Sequence, residues 1–178
     1  MARLRPRQRE ELQAGGQELF ERLAASRGFV PLLYRVMAHA PEAMAGFVRF
    51  TTDLRADGAL AQRDKELAIL LVGQLTGAET IRAAHRRFAR DAGVPAAKLE
   101  ELGQWEASAA FSDAERAMLE YVTAVTGTIR VPEGTWRLVR QHFSDSQIAE
   151  LTLVVACYNM VARFLEPLEI EVDPGYES

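Results

Sequence analysis

The chain has 178 residues, 48% hydrophobic and 26% charged, with 21 Lys and Arg against 25 Asp and Glu for a formal net charge of −4. That composition excludes wholesale disorder and suits a folded chain with a sizeable core, while the acidic balance disfavours nucleic-acid binding, which needs surplus cations. One cysteine, Cys157, excludes an intramolecular disulfide; with no leader-like apolar segment and no apolar run of ~18 residues, a reducing cytoplasm and no membrane contact are expected.

In chain order, Arg3, Arg5, Arg7 and Arg9 precede Glu10 and Glu11 and read as a solvated arm, so residues 1–10 are expected to be loose. Pro6 suits a helix start, and Leu12, Leu19, Phe20 and Leu23 form a rough apolar stripe that ends at Gly28. Gly15-Gly16 predicts a kink or break within it. Two proline-opened helices follow, from Pro31 and from Pro41. Met37, Met44, Phe47, Val48 and Phe50 supply core or subunit contacts, and His39 at a helix end is structural or solvated.

The central stretch, RDKELAILLVGQLTGAETIRAAHRRFARDAGV from Arg63 to Val94, reads as two helices joined at Thr76-Gly77 and capped by Gly93. A short helix, PAAKLEEL, and a connector from Gly103 to Ala110 come next. Ser112 with Glu115, and Ser144 with Gln147, are capping boxes that launch two further helices, with a Pro132-opened helix between them. The acidic tail, residues 169–178, is loose or used in a subunit contact. Strand signals are absent. The expected fold is therefore all-α, a single domain over residues 1–178 with eight or nine helices and a motif core at 60–103. KELAILLVGQLTG is echoed by ERAMLEYVTAVTG fifty residues later, and TIRAAHRRF by TWRLVRQHF, which suggests a duplicated helical hairpin or a chance likeness of amphipathic helices.

The candidate chemistry lies in the central stretch. His85 shares its helix face with Ile81, Phe88, Ala89 and Ala92, all apolar, so it points inward. Burial favours a neutral imidazole, the form of a general base. Glu66 opens a helix whose next residues, Leu67 to Val72, are all apolar. It is either a helix-start acid paired with Gln62 or Arg63, or a carboxylate that meets His85 between helices. Glu79 is a first-turn acid about 120° around its helix from His85, and Arg82 is a candidate clamp for a carboxylate. Tyr158, Asn159 and Arg163 interrupt the second apolar helix, and a buried Asn159 must either cap a neighbour or line a pocket. No phosphate loop, HExxH pattern or Cys/His cluster with metal spacing occurs, so neither metal nor cofactor is expected.

The run RDKELAILLVGQLTGAETIRAAHRRFARDAGVPAAKLEEL resembles the carboxymuconolactone decarboxylase family, which includes the alkylhydroperoxidase D-type proteins. Flanking segments extend the resemblance to residues 25–168. In peroxidase members a Glu precedes a CxxC pair, and a His follows the second Cys by four residues. Glu66 and His85 match that Glu and His, while the cysteine positions fall on Ala78 and Ile81, and Thr80 lies between them. Thiol peroxidase chemistry needs those thiols, and Cys157 on another helix does not replace them. The decarboxylase-like branch often shows an aromatic E-Y-x-W-x-x-H stretch. Glu79 and His85 match its ends, and Thr80 and Ile81 depart from its aromatic positions.

The resemblance implies a cofactor-free lyase or isomerase for a small carboxylated lactone or other unsaturated acid. His85, Glu66 and Glu79 would be the acid–base groups, with Arg82, Arg63, Tyr158 and Asn159 around the substrate. The alternatives are an oligomeric binding or scaffold protein and, last, an antioxidant protein using Cys157 alone. The resemblance also implies a homo-oligomer, a trimer or hexamer.

Overall fold

Every regular element among the described residues, 2–176 of the computed structural model, is helical, and no strand occurs among them. The described residues form nine α-helices: α1 (Ala14–Arg27), α2 (Leu32–Met37), α3 (Pro41–Arg55), α4 (Gln62–Thr76), α5 (Glu79–Asp91), α6 (Ala96–Glu101), α7 (Asp113–Thr128), α8 (Glu133–His142) and α9 (Asp145–Leu165). The first helix begins later than Pro6 suggests. Only a 3₁₀ turn, Arg9–Glu11, precedes Ala14, and Gly15 and Gly16 fall in the first turn of α1. Two glycines cost least at a frayed end, so the helix starts there instead of breaking in its middle.

The chain forms two compact units, residues 1–53 with 164–178 and residues 54–163. The first has a core of Leu19, Phe20, Leu23, Tyr34, Met37, Met44 and Val48, with Phe47 and Phe164 packed against it. Its terminal segments have partners despite their charge. Arg3 N donates to Leu168 O at 2.9 Å, and the Arg3 guanidinium pairs with Glu169 at 2.7 Å. His39 Nε2 lies 2.9 Å from Arg5 O. Both oxygens of buried Asp173 accept from Leu32 N at 3.0 Å, and the Phe29 and Tyr176 rings meet edge-on.

In the second unit α4 is the central element: each residue from Asp64 to Gly73 is buried. Gly77, at φ 73°, closes α4 and turns the chain into α5, a conformation that a side chain would strain. The helix pairs α4–α5 and α7–α8 form two hairpins, and α4 packs on α7, which is the arrangement a repeated hairpin would give. The connectors ahead of the hairpins are pinned by cations. Ahead of α7, the Arg116 guanidinium donates to Trp105 O and Glu106 O at 3.1 Å and also to Ser108 O. Helix α9 follows its capping box, in which Ser144 N donates to Gln147 Oε1 at 2.8 Å, and ends two residues before Pro167. It is long and apolar enough to cross a membrane by length and composition, and half of its apolar window is buried in the protein.

Ser112 caps α7 reciprocally: its Oγ accepts from Glu115 N, and its own N–H donates to Glu115 Oε2 at 2.8 Å. Replacing Ser112 by Ala should lower the unfolding free energy by about 1 kcal/mol, measured by urea denaturation. An unchanged midpoint and slope would show that the cap contributes nothing.

Candidate acid–base site

Two helices with different burial patterns build the site. Helix α5 is amphipathic: Ile81, His85 and Ala89 are buried on one face, and Arg86, Arg87 and Arg90 are exposed on the other. Helix α4 has no exposed face from Asp64 to Gly73, so a carboxylate at Glu66 needs partners within the protein. The two meet there. His85 Nδ1 and Glu66 Oε2 are 2.7 Å apart, with the glutamate fully buried and the histidine 6% exposed. The other oxygen, Oε1, accepts from Gln62 Nε2 at 3.1 Å and lies 3.5 Å from the Arg55 guanidinium. A carboxylate can only accept, so Nδ1 carries the proton of this bond, and a neutral His85 has its basic lone pair on Nε2.

Aromatic rings frame the imidazole. Tyr158 meets it edge-on with centroids 4.8 Å apart, and Phe88 lies at 5.6 Å. Arg55 stacks over the Phe88 ring at 4.4 Å. Glu66, His85 and Tyr158, three of the residues singled out in the sequence, are thus brought together, as are Glu66 and Gln62.

The remaining candidates stand apart from the pair. Glu79 is exposed and forms a 2.7 Å ion pair with Arg82 one turn away, as its first-turn position favours. Arg82 and Arg86 line a shallow hollow with Leu70, Gln74, Leu99 and Leu102. Arg63 is exposed and 3.4 Å from Asp64. Asn159 bridges helices: its Nδ2 donates to Thr126 Oγ1 on α7 and to Val155 O, both at 3.0 Å, and its Oδ1 accepts from Arg163 at 2.7 Å.

Two residues escaped the sequence reading. Arg55 ends α3, and nothing in the local pattern distinguishes it from a surface charge. Lys65 is 1% exposed and pairs with Glu150 of α9 at 2.5 Å. The run Asp64-Lys65-Glu66 did hold a signal, because three successive charges on a helix buried all round cannot all reach water. Burial by itself would raise the Glu150 carboxyl, but hydrogen bonds from Lys65 and Leu60 N–H, with the Lys65 charge, hold it below the usual carboxylate range. The positions matching the paired cysteines, Ala78 and Ile81, are 0% and 3% exposed and wholly aliphatic. Among the described residues no group of three His, Cys, Asp or Glu side chains could hold a metal ion.

Nine helices among the described residues, with a buried Glu–His pair across the central hairpin, have the all-α fold of alkylhydroperoxidase AhpD-core structures. The chain superposes on the alkylhydroperoxidase AhpD core of an uncharacterized peroxidase-related protein from Ralstonia eutropha JMP134 with a TM-score of 0.87, at 18% identity, covering 98% of this chain and 94% of that one. It superposes on the debrominase Bmp8, solved as a cysteine-to-alanine variant in complex with 2,3,4-tribromopyrrole, with a TM-score of 0.84 at 16% identity, covering 97% and 92%. At these identities the likeness is one of fold. Residues 41–124, under half of the chain, match the carboxymuconolactone decarboxylase family, and that matched segment contains no cysteine. A curated relative, the uncharacterized protein YnjA of Escherichia coli (strain K12), is 34% identical over 74 residues, 41% of this chain and 41% of its own length. The match thus spans under half of that relative.

The buried thiol of Cys157 is pushed up to about 11 by desolvation. At pH 7 its thiolate fraction is on the order of 10⁻⁴. Ellman's reagent at pH 7 should therefore leave the native chain unlabelled over minutes and titrate one thiol at once in guanidinium. Rapid labelling of the native protein would show the thiol to be accessible and activated.

Proposed function

We propose that the chain is a cofactor-free acid–base enzyme, a carboxymuconolactone decarboxylase-like lyase or isomerase for a small carboxylated lactone or other unsaturated, oxygenated acid, working in a reducing cytoplasm. The observation that carries this reading is the buried 2.7 Å contact between Glu66 and His85, with aliphatic Ala78 and Ile81 where paired thiols would stand. Decarboxylation of such an acid breaks the bond to the carboxylate carbon. The electron pair passes into the conjugated system as a dienolate, and carbon dioxide leaves. A proton must then reach carbon. Protonated His85 would deliver it through Nε2 and return to the neutral ring, while Glu66 orients the imidazole and offsets its earlier positive charge. Arg55, beside the pair, would hold the anionic end of the substrate. Exposed Arg63 and half-buried Arg82 would guide the acid toward the site.

A second reading, an oligomeric binding protein without turnover, draws support from the cover over the imidazole, which Tyr158 and Phe88 flank. A thiol peroxidase reading has little support, because the lone Cys157 is buried and its thiol is raised. Carbon dioxide release, and deuterium uptake at carbon from heavy water, measured across a panel of carboxylated lactones, separate the first two. Turnover by the wild type, reduced at least ~100-fold in His85→Gln with an unchanged circular dichroism spectrum, is expected. Full turnover by the variant would sink the role of His85, and an inert wild type would favour the binding protein.

For assembly, we propose a homo-trimer or hexamer that uses the outer face of α9, where Leu153 and Met160 are 50% and 45% exposed. Light scattering should give a multiple of the 19.8 kDa chain, reduced to the monomer mass by Leu153→Glu with Met160→Glu. A monomeric wild type would exclude this assembly.

A further inference from the structure

Lys65 has no part in the chemistry above, yet its side chain is among the most deeply buried in the protein. A buried ammonium persists only where its charge is paired and its hydrogens find acceptors. Nζ has three donors and meets three acceptors: Leu54 O at 3.1 Å, Ala56 O at 2.8 Å and Glu150 Oε1 at 2.5 Å. The two carbonyls belong to the residues on either side of Arg55. They lie at the C-terminal end of α3, where acceptors go unfilled and the helix dipole favours a cation. Glu150 extends the clamp along the connector between α3 and α4. Its Oε2 accepts from Leu60 N at 2.8 Å, and its carboxylate sits against Gly58 so closely that a Cβ there would overlap it.

Arg55 depends on this clamp because its own side chain is loosely held. Its guanidinium is 3.5 Å from Glu66 Oε1, longer than a direct charged hydrogen bond, and otherwise stacks on Phe88. Its Nε is buried without a hydrogen-bond acceptor. The direction in which this side chain points is therefore set chiefly by its backbone.

We propose that Lys65 is a positioning residue for the acid–base pair: by clamping the chain on both sides of Arg55 it keeps that guanidinium over Glu66, and so sets how strongly the carboxylate holds a proton on His85. The proposal rests on the acid–base reading of the pair and on no particular substrate, so it can fail while the lyase reading stands. The charged and titratable groups near the imidazole include Glu66 from α4 and Tyr158 from α9, with Arg55 from the end of α3 on the far oxygen of the Glu66 carboxylate. On α5 itself, Arg87 reaches the Phe88 ring at 5.6 Å. Arg55 competes for the Glu66 charge and repels an imidazolium. Displacing it leaves the carboxylate to His85 and the neutral Gln62 amide, and the ring then binds its proton at higher pH.

The test is an NMR titration of the His85 ring in the full-length chain. Arg55→Met should move the midpoint upward by roughly half a pH unit or more. Lys65→Met combined with Glu150→Gln removes one cation and one anion, leaving net charge unchanged, and should produce a similar rise. The triple variant should show no additional rise, because both changes act through one guanidinium. Gly58→Ala, which pushes the Glu150 carboxylate aside without altering any charge, should raise the midpoint as well, and it decides the matter if the Lys65→Met, Glu150→Gln protein does not fold. A wild-type midpoint in either folded protein, or additive shifts in the triple variant, would overturn the proposal.

Discussion

Three consecutive ionisable side chains, Asp64, Lys65 and Glu66, are buried at the start of α4, at 9%, 1% and 0% exposure. Each ion removed from water costs several kcal/mol unless partners replace its hydration. The neighbouring elements supply those partners in different directions. Lys65 reaches back to the end of α3 and across to α9, while Glu66 reaches to α5 and Arg55. Asp64 is the least compensated. Burial raises its carboxyl, and Arg63 offsets only part of that cost. Nearby Glu115 shows the opposite balance, since burial would raise it but hydrogen bonds from Lys98 and Ser112 bring it below the ordinary range.

Such an arrangement is a poor way to gain stability. Well-packed aliphatic residues of similar volume often serve as well or better than a buried ion pair, whereas removing one partner alone costs about 3–5 kcal/mol. The adjoining residues Leu67 to Val72 show that α4 readily takes the aliphatic solution. The charges are instead concentrated in its first turns, at Asp64, Lys65 and Glu66. A similar contrast appears on α5, where Ile81 and Ala89 are buried aliphatic residues and Thr80 and His85 are buried polar ones.

Helical periodicity made much of this legible. The apolar neighbours of His85 at i−4, i+3 and i+4 turned it inward, and the unbroken apolar run after Glu66 marked α4 as enclosed. Geometry also separated Glu79 from His85, since about 120° of helix lies between them. Arg55 and Lys65 were invisible for a different reason. Lys65 bonds to backbone carbonyls nine and eleven residues away and to a carboxylate 85 positions later, and side-chain patterns do not encode carbonyls. Asn159 stood open between capping and lining because either use satisfies a half-buried amide, and only the position of Thr126 distinguishes them. Charge alone makes the terminal arms look loose. Backbone bonds such as Arg3 to Leu168 depend on segments more than 160 residues apart.

The hairpin that lacks the Glu–His pair has an anchor of the same kind. Arg116 in α7 grips the carbonyls of Trp105, Glu106 and Ser108, just as Lys65 grips those of Leu54 and Ala56. A cation that ties the incoming connector to the first helix is thus a device common to both hairpins, with or without acid–base groups beside it. In α4 the anchor and the acid are consecutive residues, separated by a single helical step of ~100°. The rotation that aims Lys65 at the connector also aims Glu66 at α5, so one helix register indexes both. Neither can be re-aimed alone, and the scaffold's own fastening sets the bearing of the carboxylate.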